Sequence, residues 1–179
     1  MAAEIQVFTF KDGLLARLAH DLRLTLRRFE LRRAGEAVTG RFWPGSLVVD
    51  GAAGRHGQVE VDALSADNKR TIAGNLGEVL QTGRYPEVTL VGRVVGGQFT
   101  GELTLVGRTQ PITAAIREDG AVLRAEVVLV PSRWGIAPYR ALAGAIKLQD
   151  RVVVKVAVPK DPADPCAWSG PDPTSTLRS

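Results

Sequence analysis

The chain has 179 residues, 45% of them hydrophobic, and its net charge at pH 7 is +4. This length and composition predict one globular domain whose core is large enough to fold without disulfides or metals. The single cysteine, Cys166, excludes an internal disulfide framework, and two histidines without structural cysteines argue against a zinc site. No run approaches the length of a membrane span and the first residues lack the pattern of a secretory signal, so we expect a cytoplasmic protein.

The positive charge is concentrated near the N-terminus. Residues 11–41 hold eight Lys or Arg against four Asp or Glu, which accounts for the whole net charge. Such an arginine-rich face could meet an anionic lipid headgroup, a membrane surface or nucleic acid, although charged strand faces are most often simply solvated. Nucleic acid is the weakest option, because aromatic residues that would stack on bases do not interleave with these arginines.

The segment ARLAHDLRLTLRRFEL, residues 16–31, has the alternation of a strand. One face carries Leu22, Leu24 and Leu26. His20 shares their parity, so we expect it to point inward and Asp21 outward, which opposes a catalytic pairing of the two. His20 is then either a buried neutral core residue or a polar anchor for a ligand head in an apolar cavity. The apolar residues change phase after residues 27–28, which predicts a β-bulge.

The segment SADNKRTIAGNLGEVL, residues 65–80, is typical of a helix. Ser65 is a suitable N-cap, and the apolar residues recur at helical spacing on one stripe. They are Ile72, Leu76, Val79 and Leu80. Gly74 and Gly77 weaken the helix, so we expect packing against a barrel to hold it.

Two hairpins are predicted between residues 87 and 130, because GG at 96–97 and DG at 119–120 are favoured in two-residue turns. Counting outward from each turn gives the inward-facing pairs. In the first hairpin they are Val94 with Phe99, Gly92 with Gly101, Leu90 with Leu103, and Val88 with Leu105. In the second they are Ile116 with Leu123, Ala114 with Ala125, and Ile112 with Val127.

The inner faces of these hairpins share a belt of small residues. Its members are Gly92, Gly101, Ala114 and Ala125. Such residues can let a sheet coil or fill the taper of a closed barrel, and they can equally leave room for a ligand. The pattern leaves both explanations open, and we expect the interior to be hollow at this belt.

Three segments, in this order, carry a family resemblance: LSADNKRTIAGNLGEVLQTGRYPEVTLVG, GELTLVGRTQPITAAI and SRWGIAPYRALAGAIKLQDRVVVKVAV. The most specific pieces are Tyr85-Pro86 after the helix, the LTL-G-T-P pattern at 103–111 and the GI-PY pattern at 135–139. Together they resemble the YceI-like family of polyisoprenoid-binding proteins over about residues 4–158. The resemblance implies a lipocalin-like barrel of about eight strands whose apolar pore holds a long isoprenoid or fatty chain, without catalysis.

The segment KDPADPCAWSGPDPTSTLRS after Pro159 is rich in Pro, Asp and Ser. This composition predicts a disordered tail over residues 159–179 that the fold does not need. Cys166 and Trp168 could mark a docking motif, but an extended exposed tail is the simpler interpretation.

We therefore predict an all-β chain, with a closed antiparallel eight-stranded lipocalin-like barrel over residues 1–158 and one flanking helix at about 65–80. The predicted function is non-catalytic binding, storage or transport of a long-chain isoprenoid or fatty lipid, without cofactor, metal or nucleic acid, and with a homodimer as a possible assembly. One alternative is a protein-interaction domain with a side-chain-filled barrel, acting through its arginine-rich face or tail. Another is an enzyme that uses His20.

The predicted ligand-binding residues occupy the inner face of the sheet, the helix stripe and the position directly before the GI-PY segment. They are His20, Leu22, Leu24, Ile72, Leu76, Leu80, Val88, Leu90, Gly92, Phe99, Gly101, Leu103, Ala114, Ile116, Ala125, Val127 and Trp134. We expect His56, in the loop GAAGRHG, to be solvated.

Overall fold

A computed structural model describes residues 2–12, 21–54, 58–141, 146–161 and 167–170. His20, His56 and Cys166 lie outside these ranges, so the orientation predicted for His20 stays a prediction. Within the described ranges, no helix is long and apolar enough to cross a bilayer.

Over the described residues, the structure is a 13-stranded antiparallel sheet with one α-helix. The strands are β1 (Glu4–Asp12), β2 (Leu22–Leu26), β3 (Phe29–Ala34), β4 (Ala37–Phe42), β5 (Leu47–Ala53), β6 (Val59–Glu60), β7 (Val88–Val95), β8 (Gln98–Leu105), β9 (Arg108–Asp119), β10 (Val122–Leu129), β11 (Arg140–Ala141), β12 (Ile146–Pro159) and β13 (Ala167–Ser169). Helix α1 spans Ala66–Val79.

The strands follow one another in the order β13-β3-β4-β7-β8-β9-β10-β12-β1-β2-β5-β6, with β11 beside β12. The all-β class and the single helix are therefore confirmed. The eight-stranded closed barrel is wrong, because the described residues form more strands and their ladder of strand pairs does not close on itself. The described strands form a barrel-like sheet whose order begins at β13 and ends at β6.

The ladder of strand pairs is interrupted at a corner of the sheet, where β2 passes into β3 and β4 passes into β5. Between β2 and β3 the chain leaves the ladder at residues 27–28, and between β4 and β5 a short 3₁₀ turn intervenes. The corners touch through two backbone hydrogen bonds, Arg27 N to Ser46 O at 3.2 Å and Trp43 N to Arg28 O at 3.1 Å. The phase change predicted as a β-bulge is thus a break between two strands.

The first hairpin has the predicted register. Gly92 pairs with Gly101 and Leu90 with Leu103. The turn glycines Gly96 and Gly97 have φ values of 57° and 76°, the left-handed conformation that a two-residue turn of type I′ requires.

The second hairpin is shifted by two residues from the predicted register. Asp119 pairs with Val122, so Ile116 faces Ala125 rather than Leu123. The turn is formed by Gly120 and the next residue, with Gly120 at φ 60°, as suits the first central position of a type II′ turn. A shift of two leaves the inward and outward faces unchanged, because side chains alternate with a period of two.

Helix α1 confirms the predicted helix and its cap. The Ser65 hydroxyl accepts a hydrogen bond from Asn68 N at 3.1 Å. Ile72 and Leu76 pack against a core cluster of β2 and its neighbours, formed by Leu22, Leu24, Val49 and Leu64. The helix therefore lies across one side of the barrel-like sheet, as predicted.

Strand β13 differs from the predicted disordered tail. Trp168 pairs with Leu31 of β3, is 8% exposed and donates from Nε1 to Pro159 O at 2.8 Å. It packs in a core cluster with Phe29 and Ala3. A polar, proline-rich composition did not reveal this contact, because one indole ring supplies much apolar area within a short segment.

Candidate ligand cavity

A cavity of about 660 Å³ lies between the sheet and helix α1 and is partly open to solvent. This volume lies within the range of small-molecule sites, roughly 300–1,000 Å³. The alternation of each strand supplies one wall. On β1 the inward residues are Ile5, Val7 and Thr9, and on β12 they are Val152, Val154 and Val156.

The cavity wall is almost entirely apolar. Among its described lining residues none carries a charged side chain, and the polar ones are Thr9, Asn68, Thr71, Asn75, Tyr139 and Gln149. Hydrogen bonds connect several of them. Asn75 Nδ2 donates to the Tyr139 hydroxyl at 3.0 Å, Leu148 N to Tyr139 O at 3.0 Å, and Gln149 Nε2 to Lys11 O at 3.2 Å. These bonds gather polar groups where helix α1 and the ends of β1 and β12 meet.

Most of the predicted ligand-binding residues line this cavity. They are Leu22, Leu24, Ile72, Leu76, Leu80, Val88, Leu90, Leu103, Val127 and Trp134. Six others do not line it, namely Gly92, Phe99, Gly101, Ala114, Ile116 and Ala125. That the lining residues contact a ligand remains a prediction.

The small-residue belt is filled, and the expectation of a hollow interior there is wrong. A Cβ atom at Gly92 would lie 2.6 Å from Phe99 Cζ, and one at Gly101 would lie 2.7 Å from the same atom. Phe99 is 7% exposed and packs with Val38, Val94 and Ala114. The glycines therefore make room for the Phe99 ring, which fills one end of the sheet, and the cavity occupies the other.

The Trp134 side chain forms part of the cavity wall. It is 1% exposed, and its Nε1 donates to Leu103 O at 3.0 Å. It packs with Leu103, Val106 and Ile136. This satisfied indole fixes the segment after β10 against β8, and the same segment then carries Tyr139 to helix α1.

Helix α1 is tied to its surroundings at two positions. Lys69 Nζ donates to Asp50 O of β5 at 2.9 Å, and Asn75 makes the bond to Tyr139 described above. The second bond lies in the cavity wall, since Asn75 and Tyr139 line it. The helix is therefore held as one wall of the site by few polar contacts and by its apolar stripe.

The arginine-rich stretch lies outside the cavity. Arg28 and Arg41 stack on Trp43, with guanidinium carbons 4.2 and 5.2 Å from the ring centre. Arg41 also forms two hydrogen bonds with Glu87, of 3.1 and 2.6 Å. The hydrogen bond from Arg41 lowers the pKa of Glu87, although partial desolvation opposes this, and it raises the pKa of Arg41.

Sequence reasoning missed the walls contributed by β1 and β12. Neither strand is flanked by a recognisable tight turn, so no register could be counted for them. The alternation in EIQVFTF was the available signal for β1, and the apolar run RVVVKVAV for β12. Thr9 and Tyr139 were missed for another reason, because their place in the cavity depends on long-range contacts.

The family model of the YceI-like domain matches residues 20–159. The chain belongs to the YceI-like family. This is a family of binding proteins associated with polyisoprenoids.

The crystal structure of Burkholderia cenocepacia BcnA is similar to this YceI-like chain in fold, with a TM-score of 0.56. The two are 13% identical in sequence, and the match covers 87% of this chain and 94% of the BcnA chain. At this identity the likeness concerns the fold alone. A comparison with curated proteins gave no match.

Proposed function

We propose that this YceI-like protein binds a long-chain isoprenoid or fatty lipid in the cavity, for storage or transport and without catalysis. The observation that carries the proposal is the 660 Å³ cavity, whose described lining residues include no charged side chain. Such a wall favours a hydrocarbon chain, because burying a charge without a partner is costly.

The hydrophobic effect is large enough for this role. Burial of one methylene group contributes ~0.8 kcal/mol, so ten buried methylenes contribute roughly 8 kcal/mol before other terms. Association and ordering of the chain oppose this gain. A longer chain therefore binds without any specific polar contact, and polar contacts only select among ligands of similar length.

The test is native mass spectrometry of freshly purified protein, followed by organic extraction of any bound lipid. Wild type is compared with Val127→Trp, whose new ring would occupy the cavity that Val127 lines. The matched control is Val128→Trp, because Val128 is the next residue and is 51% exposed on the outer face. We expect the first variant to lose most of its bound lipid and the second to keep it.

Two results would contradict lipid binding. One is a wild-type protein that carries no lipid and takes up none when mixed with isoprenoid or fatty alcohols. The other is equal lipid content in the two tryptophan variants, both folded by far-ultraviolet circular dichroism.

The alternative of an interaction domain with a filled barrel has less support. Side chains do not fill the cavity, and several arginines of the outer face already have acidic partners. These pairs are Arg23 with Asp50, Arg41 with Glu87, and Arg93 with Glu36. His20 lies outside the described residues, so the alternative of an enzyme that uses His20 stays untested. A cytoplasmic location and a homodimer stay predictions, which cell fractionation and light scattering test.

A further inference from the structure

Thr9 carries an unusual polar atom. Among the described residues, its Oγ1 is the one buried side-chain nitrogen or oxygen that has no hydrogen-bond partner. The residue is 7% exposed and lies on the inward face of β1, where it lines the cavity. Buried hydroxyl groups are normally paired, so an unpaired one beside a ligand cavity calls for a function.

Thr25 shows what the same side chain does elsewhere in this sheet. It is also 7% exposed, but its hydroxyl donates to Asp50 Oδ2 at 2.8 Å. Thr9 has no such neighbour. Its partners across the ladder are Leu22 on β2 and Val152 on β12, both apolar and both lining the cavity.

Two other polar residues of the cavity wall already have a hydrogen-bond partner within the protein. Gln149 bonds to Lys11 O, and the Tyr139 hydroxyl accepts from Asn75. The Thr9 hydroxyl has no such partner and remains available to a group that enters the cavity. A turn of about 120° about χ1 moves the Thr9 hydroxyl to another staggered position, so its direction can adjust to a bound ligand.

We propose that Thr9 anchors an uncharged oxygen of the bound lipid, so that the cavity selects long-chain alcohols or carbonyl compounds over plain hydrocarbons. The absence of charged side chains among the described lining residues argues for a neutral group at this position. A carboxylate or phosphate placed there would be buried without a counter-charge. This inference rests on the proposed lipid-binding function and adds the chemistry and position of the ligand's polar group.

The test measures displacement of the neutral fluorescent probe N-phenyl-1-naphthylamine by hexadecan-1-ol and by hexadecane. We expect wild type to bind the alcohol about threefold to tenfold more tightly than the alkane, the effect of one net hydrogen bond. Thr9→Val keeps the shape but loses the hydroxyl, so its preference should disappear. Thr9→Ser should retain the preference, and Thr25→Val should retain it as well.

Thermal unfolding of ligand-free protein gives a second readout. Thr9→Val removes an unpaired buried hydroxyl and should raise Tm, whereas Thr25→Val breaks the bond to Asp50 and should lower it. A failure of lipid binding itself would appear as no displacement by either ligand in wild type. Equal affinity for both ligands in wild type, or a preference that survives in Thr9→Val, would overturn the role of Thr9 and leave lipid binding intact.

Discussion

Replacement of Gly101 by Ala tests whether the end of the sheet around Phe99 is filled. The added Cβ would lie 2.7 Å from Gly92 Cα and 2.7 Å from Phe99 Cζ, and it would also meet Val91 O. Two of these three neighbours are backbone atoms of the adjacent strand β7, which cannot move without disturbing the ladder. We therefore expect Gly101→Ala to destabilise the fold.

The size of the effect follows from the cost of overpacking a core, about 1–3 kcal/mol. For a protein of this length, 1 kcal/mol moves Tm by about 2–4 °C, so the expected fall is about 2–12 °C. The assay is thermal unfolding followed by circular dichroism. Lipid content measured by native mass spectrometry should stay at the wild-type level in the folded variant, because Gly101 does not line the cavity.

The control is Gly74→Ala in helix α1. A Cβ there would meet no heavy atom within 4 Å, so only helix propensity changes, by about 1 kcal/mol in favour of Ala. Its Tm should rise. A filled end of the sheet around Phe99 is contradicted if Gly101→Ala unfolds at the wild-type temperature, or if the folded variant loses its lipid.

Three further predictions concern the outer parts of the site. Truncation after Asp161 removes β13 and the buried Trp168, whereas truncation after Gly170 keeps them. The shorter protein should lose about 3 kcal/mol of unfolding free energy relative to the longer one, measured by urea titration. Equal stabilities would contradict the docking of Trp168. Tyr139→Phe removes the acceptor of the Asn75 hydrogen bond. The fluorescent probe should then exchange between cavity and solvent about twofold to tenfold faster in stopped flow. An unchanged rate would show that this bond does not hold the helix. Arg41 lowers the pKa of Glu87, so the Tm advantage of wild type over Glu87→Gln should be fully present at pH 7 and shrink as the pH falls below about 4. An advantage as large at pH 3 as at pH 7 would contradict the ion pair.

Local sequence signals predicted the helix and the first hairpin because each depends on residues close together in the chain. Ser65 caps α1, and a pair of glycines can adopt the positive φ that a type I′ turn needs at both positions. The second hairpin was misplaced because Asp119 stays in its strand and pairs with Val122, so the turn begins one residue later than the DG pattern suggested.

The cavity could be predicted only in part, since periodicity gives the face of a side chain but not what lies opposite. It placed Leu22, Leu24 and the α1 stripe correctly on the cavity wall. It could not show that the Phe99 ring covers Gly92 and Gly101, or that β1 meets β12. Both features depend on how strands that are distant in the sequence pack together, and a short stretch of sequence does not determine that packing.

The pairing of β1 with β12 has a consequence for how the protein is made. Glu4 lies opposite Ala157, so β1 cannot complete its pairing until β12 has been synthesised. Before then, one edge of β1 presents unpaired backbone groups, which can recruit another nascent chain. Joining the two ends by circular permutation, with new termini at an exposed turn, would make this contact local and should speed folding, since contacts between distant residues slow it.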